Sequence, residues 1–279
     1  MSNLRGILYV VATPIGNLED LSPRAARILR EVDVIAAEDT RHSARLLQHF
    51  GIATPLVAFH EHNERVRTAE LLEQLQAGRR IALISDAGTP LISDPGFPLV
   101  RAAREQGIVV SPVPGACAAI AALSASGLPS DRFVFAGFPP STASARRAAF
   151  ASLRDDARTL IFYESPHRIV ASLEDMAAVF GADRPAVVAR ELTKQFETLH
   201  GDTLAALAAW VTADPDRLRG EFVVLVHGAP VQTGVDAESE RVLRVLLAEL
   251  PVKQAAALAA AITGRKKNAL YELALRLKP

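Results

Sequence analysis

Within the first 125 residues, short continuous apolar runs alternate with stretches long enough for a helix, and that alternation leaves few folds open. The runs are Ile7 to Ala12, Val32 to Ala37, Leu56 to Phe59, Ile81 to Ser85 and Ile108 to Val113. A strand that is apolar at every position, rather than at every second one, is covered on both faces, as in a parallel sheet layered by helices. The stretches between carry readable helix ends. Ser22-Pro23 sets an N-cap before a proline in the first turn, where the missing N–H costs nothing. Gly78 and Gly107 stand where helices end ahead of the next strand. Residues 1–125 are therefore predicted to form an α/β domain built on an open, mostly parallel sheet.

Gly127-Leu128-Pro129-Ser130-Asp131 is the candidate linker. Beyond it, strands are predicted at Phe133 to Ala136, Thr159 to Tyr163, Ala186 to Arg190 and Glu221 to His227. Helices are predicted near Ala145 to Leu153, His167 to Phe180 and Thr203 to Val211. Strands and helices mix here without clean strand–helix–strand steps, so residues 128–230 read as an α+β domain. A polar stretch, Val231 to Ser239, leads into an Ala- and Leu-rich helical tail, residues 237–279. Its three helical patterns are Ala237 to Leu250, Val252 to Ile262 and Lys267 to Leu277. Gly264 between the last two gives a helix-turn-helix-like spacing, and a plain helical cap fits the same pattern.

Several function classes are excluded early. A chain of 279 residues with 31 basic and 31 acidic side chains has no formal net charge, which is unsuited to coating nucleic acid nonspecifically. A local basic face remains compatible with that balance. One cysteine, Cys117, allows neither an intrachain disulfide nor a thiolate metal cluster, and suits a reducing, cytoplasmic location. The apolar start, Gly6 to Ala12, breaks at Pro14-Ile15-Gly16-Asn17 before acidic Glu19 and Asp20, so it reads as a buried strand rather than a signal peptide. No stretch approaches the ~20 apolar residues that cross a bilayer.

In open α/β sheets, ligand loops gather at the carboxyl ends of the strands. Four such positions are rich in Gly, Pro and polar residues: Thr13 to Leu18, Glu38 to Ser43, Asp86 to Gly96, and Pro112 to Ala118. Each alone passes for an ordinary turn, but all four together predict one ligand cleft. Neither Gly-x-x-x-x-Gly-Lys-Ser/Thr nor, in the first loop, Gly-x-Gly-x-x-Gly is present, which disfavours nucleoside triphosphates and dinucleotides. Pro-Gly turns offer backbone amides and carbonyls instead.

Seven stretches, LYVVATPIGNLEDLSPRA, AAEDTRHSARLLQHFGI, LISDAGTPLISDPGFPLV, VPGACAAIAALSASGLPSDRF, TLIFYESPHRI, ARELTKQFET and KKNALYELAL, span nearly the whole chain. In them the sequence closely resembles bacterial 16S ribosomal RNA cytidine 2′-O-methyltransferases, of the tetrapyrrole-methylase-like class of S-adenosylmethionine enzymes. The resemblance implies a two-domain α/β fold with S-adenosylmethionine in the cleft between the domains, in a homodimer acting on 16S rRNA of the small subunit. It places Ile15, Gly88, Thr89, Pro90, Ile92, Cys117 and Ala118 at the cofactor, with Tyr163 and Leu225 from the second domain. Cys117 and Ala118 stand where related enzymes often carry two small hydroxyl residues, which leaves backbone contacts but removes a hydroxyl hydrogen bond. The implied reaction is methylation of a cytidine ribose in the decoding region.

A ribose hydroxyl is a poor nucleophile at neutral pH, and an acceptor for its proton assists its attack. Asp86 and Glu38 end strands at the predicted cleft and are the candidate catalytic acceptors; capping or structural hydrogen bonds are the competing roles. Asp94, ahead of Pro95, reads as an N-cap. Arg41, His42 and Arg45, with Arg146 and Arg147, are candidate RNA contacts, and a solvated face is the alternative. Arg265-Lys266-Lys267 is a further basic run of the same kind. His60-Glu61-His62-Asn63-Glu64 has metal-like composition, but one short cluster rarely closes a coordination sphere, so no metal is expected. Tyr163 to Arg168 resembles a site loop, with Ser165-Pro166 opening a helix, and no Gly-x-Ser-x-Gly elbow points to a hydrolase. Two rivals remain: a methyltransferase for a tetrapyrrole or another small molecule, and a noncatalytic ribosome-assembly factor.

Overall fold

The structure is a computed structural model that describes residues 6–230 and 237–277; the predicted polar stretch from Val231 lies outside them up to residue 236. Residues 1–228 form one compact unit and residues 229–279 a second.

The larger unit holds two five-stranded sheets. The first consists of β1 (Ile7–Val11), β2 (Val34–Ala37), β3 (Leu56–Ala58), β4 (Ile81–Ile84) and β5 (Val109–Val113), in the order β3-β2-β4-β1-β5. All its pairings are parallel. β2 and β4 are buried at every position, as continuous apolar runs require of strands covered on both faces. One face packs on α1 (Pro23–Glu31) and α2 (Thr40–His49), the other on α3 (Glu64–Gln76) and α4 (Phe97–Glu105). α1 starts as expected: the Ser22 hydroxyl accepts the Ala25 N–H at 3.1 Å, with Pro23 at its first position. Because every strand runs the same way, the segments leaving their carboxyl ends share one edge of the sheet.

α5 (Ala118–Ser126) ends at Gly127 in the left-handed conformation and leads to the second sheet. That sheet comprises β6 (Phe133–Gly137), β7 (Thr159–Glu164), β8 (Pro185–Arg190), β9 (Thr198–Thr203) and β10 (Phe222–Val226), ordered β6-β7-β10-β8-β9. Only β6 and β7 are parallel; β10 and β9 join antiparallel. One face carries α6 (Ala143–Ala151), α7 (Ile169–Phe180) and α8 (Leu204–Thr212) over a core that includes Phe150, Phe162 and Phe180. The other face, with Ile161, Val223 and Leu225, packs on α5. β9 was not anticipated: Thr-Leu-His-Gly-Asp-Thr has no apolar run, and it is an edge strand paired only to β8. Ser165-Pro166 does not open a helix; α7 begins at Ile169.

The smaller unit contains α9 (Ala237–Glu249), α10 (Val252–Thr263) and α11 (Lys267–Leu277). Leu243, Ala255, Ala256, Ala259, Leu270 and Ala274 form its own buried cluster. Gly264, left-handed at φ 69°, closes α10 ahead of α11.

Candidate functional site

The four loops at the carboxyl edge of the first sheet are stitched to one another, and the third is the hub. Thr13 and Gly88 exchange two backbone hydrogen bonds, at 2.8 and 3.1 Å, joining the first loop to the third. The Asp39 N–H donates to Asp86 at 2.9 Å and ties in the second. The Thr89 hydroxyl donates to the Ala116 carbonyl at 3.0 Å and ties in the fourth. From outside, Glu64 at the start of α3 accepts the Gly96 N–H at 2.8 Å. The third loop bends hard enough to hold Leu91 and Ser93 at φ 72° and 70°, a region side chains rarely adopt. Backbone held this way in a functional loop is a known mark of a preorganised site.

These loops and the near ends of β7 and β10 enclose a cleft of about 460 Å³, within the range of small-molecule sites. Ile15, Gly88, Thr89, Ile92, Cys117, Ala118 and Tyr163 all line it, as do Glu38 and Asp86. Pro90 is buried beside the lining without joining it. Leu225 is also set back. The antiparallel register pairs Val223 with Tyr163 but Leu225 with Ile161, so Leu225 is fully buried two positions deeper, and Phe222 and Val223 reach the cleft instead.

Gly88 has φ 82°, and a Cβ there would stand 3.3 Å from the Ile15 methyl, so the backbone itself forms the wall. Gly16 lies against the turn after β8, where a Cβ would collide with the Lys194 stem at 2.5 Å. Lys194 is in turn held by Glu191 and Glu221, each at 2.9 Å.

Three carboxylates stand together at this cleft. Burial, then repulsion from Asp86, raises the Glu38 carboxyl above its ordinary value, against a backbone hydrogen bond from Asp86. Asp94 was expected to cap a helix, yet the cap of α4 is Gly96, and Asp94 lines the cleft. Its burial pushes its pKa up to about 6; a Ser85 hydrogen bond opposes this, and Glu38 and Asp86 reinforce it by repulsion. The Asp-Pro-Gly triplet concealed this role, since it reads as well as a helix start.

The wall from the second sheet is aromatic and firmly held. The Tyr163 hydroxyl accepts the Ala119 N–H at 3.2 Å, and burial, with Cys117 adjacent, raises its pKa and keeps the phenol protonated. Glu164 is buried and satisfied by the Ser165 N–H, the Ser172 hydroxyl and Arg168.

The expected RNA contacts divide. Arg41, His42 and Arg45 are exposed on α2. Arg146 is corrected: it is 4% exposed, and its guanidinium bonds Asp175 at 2.6–2.8 Å and the Ser141 carbonyl at 3.2 Å. It joins α6 to α7 inside the core. Arg147 keeps an exposed stem but pairs with the same Asp175 at 2.5 Å. The His60 to Glu64 cluster is occupied locally: Asn63 accepts the His60 N–H at 2.9 Å and donates to the Ala58 carbonyl at 3.1 Å. Among the described residues no three His, Cys, Asp or Glu side chains are grouped to hold a metal, and no helix is long and apolar enough to cross a membrane.

Known proteins match this architecture. The family Tetrapyrrole (Corrin/Porphyrin) Methylases matches residues 7–208, and the RsmI C-terminal HTH domain matches residues 233–278. Ribosomal RNA small subunit methyltransferase I of Pseudomonas aeruginosa is 61% identical over 274 residues, covering 97% of both chains. The protein of that name from Escherichia coli O157:H7 is 57% identical, covering 98% of this chain and 96% of that one. Among solved structures, uroporphyrin-III-C-methyltransferase from Thermus thermophilus superposes with a TM-score of 0.57 at 23% identity, over 80% of this chain and 94% of that one. A diphthine synthase gives 0.59 at 17% identity, over 80% and 90%. These two similarities concern the fold alone.

Proposed function

The chain belongs to the tetrapyrrole methylase family, and within it to the ribosomal RNA small subunit methyltransferase I proteins, and from that membership we propose its reaction. It methylates the ribose 2′-hydroxyl of a cytidine in the decoding region of 16S rRNA, on the assembled small subunit and in the cytoplasm. S-adenosylmethionine is the methyl donor of this family and supplies an electrophilic methyl carried on a positively charged sulfur.

The cleft fits such a molecule. Its loop-borne side offers backbone at Gly88, apolar cover from Ile15, Ile92, Cys117 and Ala118, and Tyr163 from across the cleft. The carboxylates of Glu38, Asp86 and Asp94 suit a ligand that carries positive charge. Pro90 and Leu225 support this wall from behind.

What remains for the protein is to align the sugar hydroxyl and to receive its proton. Alignment within near-attack distance supplies much of the acceleration. Of the three carboxylates, Asp86 is engaged by the Asp39 N–H and Glu38 by the Asp86 backbone. Asp94 takes a hydrogen bond from Ser85, but with its pKa pushed up to about 6 it is the best suited to take up a proton as the hydroxyl reacts. The exposed Arg41, His42 and Arg45 are placed to meet phosphates. The same membership carries the expectation of a homodimer into this reading.

The observation that carries the reading is the stitched third loop, which puts a bare glycine backbone and a carboxylate group around one small-molecule cleft. The test uses small subunits from a strain lacking the protein, incubated with enzyme and radiolabelled S-adenosylmethionine. Nuclease digestion and mass spectrometry should find one 2′-O-methylcytidine. Label on a base carbon or nitrogen would replace the ribose assignment, and label on a tetrapyrrole alone would replace the substrate.

A further inference from the structure

Phe138 is unusual in this molecule. It follows β6, lines the cleft, and is 53% exposed. A large apolar side chain left in water at the mouth of a binding cleft asks for a partner.

The ring is also held in place. It meets Tyr163 edge-on, with centroids 5.5 Å apart, and Tyr163 also meets Phe135, at 4.9 Å. The next residue, Pro139, gives its carbonyl to Arg168 at 3.1 Å. Arg168 is anchored in turn by Glu164 at 2.9 Å and by the Ser165 hydroxyl at 3.2 Å. Before it, Gly137 takes φ 65°, and a Cβ there would stand 3.4 Å from the Ser93 hydroxyl. Phe138 is therefore fixed next to the Ser93-Asp94 end of the third loop. An aromatic side chain with this much support and this much exposure is preorganised for stacking, because its conformational cost is already met before any ligand arrives.

The occupant follows from what surrounds it. The glycine and small apolar side chains that suit the donor belong to the loops of the first sheet. Phe138 directly follows β6 of the second sheet, and the Gly137 before it lies against Ser93, next in sequence to the carboxylate proposed to receive the hydroxyl proton. A single-stranded nucleotide splayed out to present its ribose loses its stacking neighbours, and an aromatic side chain can take their place.

We propose that Phe138 is the platform on which the base of the acceptor nucleotide stacks, holding the flipped pyrimidine while its ribose lies toward Asp94. This rests on the ribose methylation proposed above and adds its substrate-binding residue. Tyr163, besides its place in the donor wall, positions that ring, and Phe135 acts through Tyr163.

The experiment uses the full chain as wild type, Phe138→Ala, Phe138→Leu and Phe138→Trp. Calorimetry gives the S-adenosylmethionine Kd, and steady-state kinetics give kcat/KM on hypomethylated small subunits. Because Phe138 is half exposed, the variants keep the fold, which circular dichroism verifies. Phe138→Ala and Phe138→Leu should lower kcat/KM for subunits by roughly tenfold or more while donor Kd moves less than about twofold, and Phe138→Trp should restore activity. A parallel loss of donor affinity in the Ala variant, with KM for subunits unchanged, would assign the ring to the donor's adenine and overturn the proposal. Unaltered kcat/KM in an active background would reject the platform alone. A wild type that leaves subunits unmethylated would remove the reaction and the platform together.

Discussion

At Asp94 burial and neighbouring charge act in the same direction, and both the catalytic and the stability consequences can be signed. A proton acceptor must be ionised, so turnover should rise with pH through about 6 and level off above it. Asp94→Asn should lower kcat by roughly 10²–10⁴-fold and erase that limb. The same residue weakens the fold at neutral pH. Its folded pKa of about 6 lies above the ordinary 3.8, so its contribution to stability is fully present below 3.8 and is lost as pH rises through 6. Asp94→Asn should therefore be more stable than wild type at pH 8 by about 1–2 kcal/mol, a figure reduced for solvent screening of a partly exposed group, with the difference shrinking as pH falls and vanishing only below 3.8. Denaturant titrations at pH 8 and below pH 3.8 check the sign; a variant less stable at pH 8, or one with full turnover, contradicts the assignment. Gly88 offers a separate test of the donor wall. At φ 82° any side chain is strained, and a Cβ meets Ile15 at 3.3 Å. Gly88→Arg should raise the S-adenosylmethionine Kd by about 100-fold or more, equivalent to roughly 3 kcal/mol, and unchanged calorimetric affinity would move the donor elsewhere.

Among the elements, Arg146 shows how a charged pair on a helix can mislead. Arg146-Arg147 has the look of a basic run facing solvent, yet α6 turns Arg146 inward onto an Asp175 whose side chain is 5% exposed. Removing one partner of a buried ion pair leaves the other charge stranded, so Arg146→Ala should cost about 3–5 kcal/mol in urea unfolding. Arg147, with 60% of its side chain exposed, should cost under about 1 kcal/mol. Equal costs for the two would show that the pair is not the clamp between α6 and α7. The parallel strands were legible because burial on both faces writes itself as unbroken apolar runs, as at Ile81–Ile84. β9 was not, because an edge strand is held by its ladder to β8 and needs no apolar signature. The cleft was legible as four turn-rich loops, whereas the roles of Asp94 and Phe138 were hidden. Asp-Pro-Gly serves cap and cleft equally well, and the left-handed turns at Leu91 and Ser93 that place Asp94 carry no residue signal. An exposed Phe after a strand becomes informative only once its surroundings are known.

Taken as a whole, the chain separates donor chemistry from the tail. Every residue lining the cleft lies between Ile15 and Val223, inside the larger unit, while α9, α10 and α11 bury a cluster of their own. The tail is also charged differently from the balanced whole: residues 237–277 carry seven Lys and Arg (Arg241, Arg244, Lys253, Arg265, Lys266, Lys267, Arg276) against four Glu (Glu238, Glu240, Glu249, Glu272), an excess of three positive charges. Positive charge on a helical unit favours phosphate contact and contributes affinity that salt weakens. A chain ending at Gly228 should therefore bind S-adenosylmethionine with a Kd within about threefold of full length, since no lining residue is lost. Its KM for small subunits should rise about tenfold or more, corresponding to roughly 1.4 kcal/mol, and the salt dependence of that KM should flatten. Loss of donor binding on truncation would mean that the cleft depends on the tail after all. An unchanged subunit KM would mean that the tail's positive charge meets no RNA, leaving recognition to the larger unit and its exposed Arg41, His42 and Arg45.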